Sequence, residues 1–465
     1  MQRLSFVLVF MLIAFQAVSA PLSITGTLSD LEQVDQIVLF EIYGDQTYPV
    51  DSTRVDSSGS FQFGPELNLH PGFYMIQLTQ NHAIDVLLNK EPLVFRASAL
   101  NPSATMEVES SWETRELYKV IGERNQISQK KQMINQLLQL YQQDSISIDL
   151  MNSLENELNH LEARIFAIDG EYEKQHPDRM LTRFLIYNDY IPDFQSNEQF
   201  HEKYTDQQTF LKDYFFYNFD LQDSLLLYSR ILPSKYQAYL GLWETNQTQY
   251  TLAIQRILDM VKVNQELYQF TVEFFLRALK NSEFNDLFAY LSDLYEAEFA
   301  QGCEVDRLGF DPAKIKALRE NLAVGKPAPL FDYVNIQGEE KSLKKLDAHA
   351  TLLVFWSSWC GHCKSAMPEL KAMYEKYHDK GLEIVGISLD EQSDEAKMFI
   401  DNLGLPWDNI IDRSLSEVNI AELYNISHTP TLFLLDKDKH IVAKPKTVMS
   451  VEKSLNSLVG SNQSE

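Results

Sequence analysis

The sequence predicts a multidomain α+β protein, with an N-terminal antiparallel β-sandwich, a central all-α region and a C-terminal α/β domain. Three observations carry this reading. Short alternating apolar runs separated by turn formers fill the first hundred residues, helical apolar spacings follow, and the last third alternates strand-like with helix-like runs. A chain of 465 residues, 45% of them hydrophobic, is too long for one core and is expected to divide in this way.

Met1 to Ala20 carries one basic residue, Arg3, ahead of an apolar run from Leu4 to Phe15. That run is shorter than the roughly 20 residues a membrane-spanning helix needs, and it reads as a secretory signal. Ala17-Val18-Ser19 supplies a small-x-small cleavage pattern, whereas a cut after Ala20 would leave Pro21 directly behind the scissile bond. The signal is therefore placed at residues 1–19. No cysteine follows to take a lipid and no second apolar run of spanning length occurs, so the mature protein is expected to be exported, without a transmembrane segment. The compartment is expected to tolerate disulfides. The net charge of -26 repels phosphate backbones and anionic membrane surfaces and argues against nucleic acid as a partner; most of the acidity lies ahead of Leu322.

The β-sandwich is expected over residues 20–110, from the runs "IVLFEIY", "FQFG", "FYMIQLT", "AIDVLL" and "PLVFRAS" and from turns at Ser58-Gly59 and Pro71-Gly72. The all-α region is expected over 111–321. Ser110 and Glu113 are spaced as a capping box opening a long helix. Val120, Ile127, Ile134 and Tyr141 recur every seven residues, and Leu154, Leu158, Leu161, Ile165 and Ile168 follow at four-three spacing beyond a turn at Asp144 to Ser147. Two helices packed as an antiparallel hairpin are predicted. The aromatic stretch "FLKDYFFYNF" reads as core packing in preference to a peptide groove.

After the Pro-containing linker "AVGKPAPLF", "ATLLVFW" reads as a buried strand, "HCKSAMPELKAMYEKY" as a helix kinked by Pro368, and "LEIVGISLD" as a second strand. "TLFLLD", "HIVAKP" and a helix near Val451 to Val459 complete an α/β domain over 322–459, with 460–465 as a tail.

Two of the three cysteines, Cys360 and Cys363, stand where the strand gives way to the helix. A pair at this spacing closes a disulfide only if the backbone turns sharply, as the first turn of a helix does. Unsatisfied amide groups and the helix dipole there stabilise a thiolate. Cys360, nearer the helix end, is expected to be the nucleophile and Cys363 the resolving thiol of a redox-active disulfide. Gly361 lets a partner chain approach, and His362, when protonated, adds positive charge beside the thiolate and tunes the redox potential. A half zinc site would need two further ligands, and only Cys303 and scattered histidines remain, so neither metal nor cofactor is expected. A purely structural disulfide would constrain few residues. Cys303 is read as a buried free thiol, with an accessory redox or intermolecular thiol as the alternative.

"VGKPAPLF", "LLVFWSSWCGHC", Pro368, "GLEIVGISLD" and "YNISHTPTLFLLDKDKHIV" together resemble the TlpA/ResA branch of the thioredoxin superfamily over about the last 135 residues. The hairpin "DSTRVDSSGSFQFG" resembles the small β-domain that precedes thioredoxin-like domains in exported proteins of Bacteroidota. The first resemblance implies a thioredoxin fold with an extra helix and strand around Ser393 to Ile411, and exported thiol-disulfide oxidoreductase chemistry on protein clients, with a redox partner that recycles the pair. It also implies that Pro430 is cis and faces the cysteines, that the Thr429 backbone docks an extended substrate, and that Trp359 shields the pair and packs on the partner. Val354 and Ala366 stand where relatives carry an aspartate and a glutamate, so His362 or His428 is left as the proton acceptor for the resolving thiol.

Rival readings are kept open. A peroxiredoxin-like peroxidase would place a proline where Leu353 stands, although Ser357 fits its pattern. An isomerase of the endoplasmic reticulum would share the Gly-His dipeptide, yet the sequence reads "SNQSE" at its end, without a retention signal, so the bacterial periplasm fits better. A binding or scaffold protein would place its role in the acidic front half, with the redox domain accessory. The helical region is expected to select clients or to mediate self-association.

Overall fold

Alternate burial of successive side chains builds the first layer. Ile24–Ser29 (β1), Gln36–Tyr43 (β2), Gln46–Arg54 (β3), Ser60–Phe63 (β4), Gly72–Gln77 (β5), Ala83–Leu88 (β6), Leu93–Ser98 (β7) and Glu107–Ser110 (β8) form two four-stranded sheets, in the orders β4-β1-β7-β8 and β3-β2-β5-β6. Their inward residues, among them Leu39, Phe63, Tyr74, Ile76, Val86 and Phe95, make one core. The pairings are antiparallel except β1 with β7, which runs parallel. The computed structural model describes residues 23–30, 35–64, 67, 69–141, 148–189, 202–299, 307–411 and 419–461. The expected signal segment, the turn at 144–147 and Cys303 lie outside them. The chain divides into two compact units, Met1–Phe274 and Phe275–Glu465.

In the first unit a short helix, Pro102–Thr105 (α1), precedes Trp112–Tyr141 (α2) and Ile148–Gln175 (α3). The last two are antiparallel, because Arg124 pairs with Asp169 at 2.6 Å while Lys131, further along α2, pairs with Glu162, earlier in α3, at 2.8 Å. Val120, Ile127, Leu161 and Ile168 are buried along the seam, and Ile134, Leu154, Leu158 and Ile165 are half-buried.

The start of α2 differs from the expected capping box. Ser110 Oγ donates to the Pro92 carbonyl instead, and Ser111, at φ 77°, precedes the helix. The Glu91 carboxylate accepts from Trp112 N at 2.9 Å. Glu113 is fully buried and accepts from Met180 N and Leu181 N at 3.2 and 2.9 Å, capping the next helix, Met180–Asp189 (α4). A four-residue capping period is local, whereas a carboxylate between two helices satisfies donors 67 and 68 positions away, which no local pattern reveals. Glu113→Ala orphans both amides and is expected to lower unfolding stability by about 2–3 kcal/mol, read from the urea midpoint at unchanged slope.

Gln207–Tyr214 (α5), Ile231–Leu240 (α6), Gln247–Val261 (α7) and Gln265–Leu279 (α8) follow. Phe210, Phe215 and Phe216 are buried, with the Phe216 and Tyr239 rings 5.1 Å apart, so the aromatic stretch is packing.

The division between units falls inside α8, and Asn285–Glu298 (α9) and Pro312–Asn321 (α10) belong to the second unit. There Asp332–Val334 (β9) pairs with Glu340–Ser342 (β10). Ala350–Trp356 (β11), Gly361–Tyr377 (α11), Leu382–Ser388 (β12), Ser393–Leu403 (α12), Asp408–Ile411 (β13), Ile420–Leu423 (α13), Thr431–Asp436 (β14), Ile441–Ala443 (β15) and Val448–Ser461 (α14) complete it. The five-stranded sheet has the order β13-β12-β11-β14-β15, with β11, β12 and β13 parallel, β14 antiparallel to β11 and β15 antiparallel to β14. This is the thioredoxin-like α/β arrangement, and α12 with β13 stands where the extra helix and strand are expected.

Every residue of β11 is buried because both faces of the sheet are covered. Leu352, Val354 and Trp356 face Met367 and Leu370 of α11 and Val451 of α14, while Leu353 and Phe355 face Tyr424 and Phe433. Pro368 lies within α11, as expected. The final helix reaches Ser461, two residues into the expected tail.

Candidate redox site

The register Phe355↔Thr431 between β11 and β14 sets the two loops at the ends of these strands side by side. One loop carries Ser357 to Cys360 into α11, and the other carries Thr429 and Pro430 into β14. The Thr429–Pro430 peptide bond is cis. Cys360 is the N-cap of α11, at φ -78° and ψ 117°, and its Sγ accepts from Cys363 N at 3.3 Å. The same sulfur donates to the Thr429 carbonyl at 3.3 Å. Both cysteines are free thiols.

Their environments split their acidities. Burial pushes the Cys360 thiol up, but hydrogen bonding from Cys363, Thr429 and the Cys363 and His362 amides outweighs it, and the net shift is downward. Cys363 is fully buried, and burial first, then its hydrogen bond with Cys360, pushes it up to about 12. At neutral pH one sulfur is inclined to ionise and the other is held protonated.

A third group fixes this geometry and was not singled out in the sequence. Asp390, 1% exposed at the end of the β12 strand, accepts from Ser358 N at 3.0 Å, from Ser358 Oγ at 2.7 Å and from Ser388 Oγ at 2.6 Å. It pins the segment that leads from β11 to Cys360. The available signal was the carboxylate ending the buried run "VGISLD", since a charge leaving an apolar strand needs partners.

The remaining expected residues surround the pair. Trp359 is 67% exposed beside the buried sulfurs. A Cβ on Gly361 would meet no atom within 4 Å, so the backbone there is open. His362 and His428 are both exposed and line one cleft with Thr429 and Pro430, and the described hydrogen bond of the His428 ring runs to Ser427 Oγ at 3.3 Å. Val354 is buried among apolar side chains, as its position in β11 requires. Among the described residues no group of three or more His, Cys, Asp or Glu is placed to hold a metal ion, and no helix is long and apolar enough to cross a membrane.

Two adjacent thiols of opposed acidity, borne on this sheet and opposite a cis-proline, are equipped to trade one disulfide for another, and the fold and pair together define a thioredoxin-like thiol-disulfide oxidoreductase. A model of the AhpC/TSA family matches residues 324–444. Thiol-disulfide oxidoreductase ResA of Bacillus thuringiensis (strain Al Hakam) is 35% identical over 124 residues, 27% of this chain and 70% of that protein. ResA of Geobacillus kaustophilus (strain HTA426) is 31% identical over 140 residues, 30% of this chain and 79% of that protein. Among solved structures, the thioredoxin domain of a thiol-disulfide oxidoreductase from Bacteroides vulgatus shows 29% identity over 28% of this chain and 97% of that chain, with a TM-score of 0.26. By its C-terminal domain the chain belongs to the ResA family of thiol-disulfide oxidoreductases.

Proposed function

We propose that the chain is an exported enzyme, acting in the periplasm, that exchanges disulfides with protein clients through Cys360 and Cys363. The observation that carries this is the geometry of the pair, a Cys360 sulfur capping α11 against the cis Thr429–Pro430 peptide and a Cys363 sulfur sealed beneath it, with the acidity split in the direction this geometry implies. In the reducing direction the Cys360 thiolate attacks one sulfur of a client disulfide, forms the mixed disulfide and releases the other client sulfur as a thiolate. Cys363 then loses its proton and attacks Cys360 Sγ. The Cys360–Cys363 disulfide forms, the second client thiolate leaves, and two electrons have passed to the client. A dithiol partner restores the reduced pair.

The Thr429 backbone, already bonded to Cys360, is the docking edge for an extended client segment, and Trp359 is the exposed apolar surface against which that client packs. Gly361 leaves the approach open, and exposed His362 beside the pair is the residue proposed to tune its redox potential. The export signal, residues 1–19, precedes segments proposed at 20–110, 111–321 and 322–459, the last two helices of the middle segment packing with the C-terminal unit. Exposed Met133, Leu140 and Ile148 on the α2–α3 hairpin are the surface proposed for self-association, tested by light-scattering mass of the full chain.

Equilibration of the pair against glutathione tests direction. A potential near about -270 mV is expected for a reductase, and one near about -180 mV for an oxidase or isomerase. A pair that neither reduces nor oxidises glutathione overturns the proposed chemistry.

A further inference from the structure

The cleft that holds Thr429, Pro430 and His362 on one side is walled on the other by the loop after α8, by α10 and by the segment after β15. Its charge runs against that of the chain. Lys280, Arg319, Lys444 and Lys446 line it with a single carboxylate, Glu283, in a protein of net charge -26. Glu283 is itself paired with Lys446.

Arg319 is built in. Its guanidinium lies over the Phe288 ring at 4.3 Å, and Nη2 donates to the Leu279 and Lys280 carbonyls at 2.9 and 2.7 Å. Nη1 is buried without a hydrogen-bond partner among the described residues. Lys444 stands over the Phe433 ring at 5.2 Å. The pKa of Lys444 is lowered, by desolvation first and then by the charge of Arg319, although the residue stays exposed to solvent. Among the described residues that line the cleft, the paired Glu283 is the single carboxylate. The exposed ammonium of Lys444, with half-buried Lys280 and the Arg319 guanidinium packed behind them, lines the cleft beside the docking edge and offers the charge that a carboxylate takes up in charge-assisted hydrogen bonds.

From this arrangement we infer that the cleft between α10 and the cis-proline loop binds an acidic side chain of the client, borne on the same extended segment as the cysteine that reacts with Cys360. The enzyme thus prefers clients whose cysteines are flanked by Asp or Glu. This rests on the proposed oxidoreductase reading and names its substrate class.

Two measurements on the full chain test it separately from that reading. In the first, a Cys360→Ser/Cys363→Ser variant is titrated, by fluorescence anisotropy, with two labelled extended peptides that differ only in Glu against Gln beside a serine replacing cysteine. The Glu peptide is expected to bind about tenfold more tightly, and the difference to vanish when Lys444→Gln and Lys280→Gln are added or when salt is raised. Equal affinities, or a preference that survives both substitutions, overturn the inference. In the second, the rate of oxidation of the reduced pair by the uncharged hydroxyethyl disulfide is measured with and without the two lysine substitutions. Both lysines lie outside the sulfur chemistry, so this rate is expected to stay within twofold, while the rate with a Glu-flanked peptide disulfide falls about tenfold. An equal fall in both rates marks a general disturbance and overturns the inference. A wild-type pair inert toward hydroxyethyl disulfide sinks the oxidoreductase reading, while the anisotropy result still decides the cleft.

Discussion

Cys360→Ser is expected to abolish disulfide exchange, with residual client turnover at least about a hundredfold below the parent chain, whereas Cys363→Ser is expected to accumulate a mixed disulfide with the client through Cys360. The asymmetry follows from the two environments. Cys360 caps a helix and its acidity is raised by hydrogen bonds, while Cys363 is fully buried with its pKa near 12. At pH 7 iodoacetamide should therefore label Cys360 and leave Cys363 unmodified, as mass spectrometry of the digest would read. The labelling rate rises with pH through the Cys360 pKa and then levels off, because the thiolate is the attacking form. That inflection should fall below the value of about 8.5 of a free cysteine. An inflection at or above it, or equal labelling of both sulfurs, contradicts the assignment of nucleophile and resolver.

The second large effect is expected at Asp390. Its carboxylate holds Ser358 N, Ser358 Oγ and Ser388 Oγ in the interior. Asp390→Ala leaves the buried Ser388 hydroxyl and two half-buried donors of Ser358 without this acceptor and should cost about 2 kcal/mol of unfolding free energy. It should also release the segment that sets Cys360 against α11, so the labelling inflection of Cys360 moves to higher pH. Asp390→Asn retains one acceptor oxygen and is expected to restore part of both properties. A variant that loses stability while keeping the parent inflection would show that Asp390 supports the fold and does not position the sulfur.

The C-terminal domain was legible because its signals are local. A continuous apolar run is a buried strand, a cysteine pair at the strand-to-helix junction is a helix-capping dithiol, and β11 and α11 follow from these directly. The N-terminal sandwich was legible in its central strands. Its borders were not: β3 is an edge strand with Pro49 beside a register shift, and β8 is a short edge strand, "EVES", so neither shows an apolar stripe. The parallel pairing of β1 with β7 joins segments about seventy residues apart, and no turn signal announces it. Distance in sequence hid the site's other parts as well. Asp390 reaches back 32 positions to Ser358, and Arg319 and Lys444 line one cleft from distant parts of the chain. Their partners are set by tertiary packing, to which periodicity is blind.

The sealing of Cys363 beneath Cys360 also governs how the domain withstands peroxide. An oxidant arriving from solvent meets one sulfur and converts it to a sulfenic acid. The thiol underneath, hydrogen-bonded to it, is expected to condense with it and expel water, so that the damage becomes the proposed Cys360–Cys363 disulfide before it can climb to the irreversible sulfinic state.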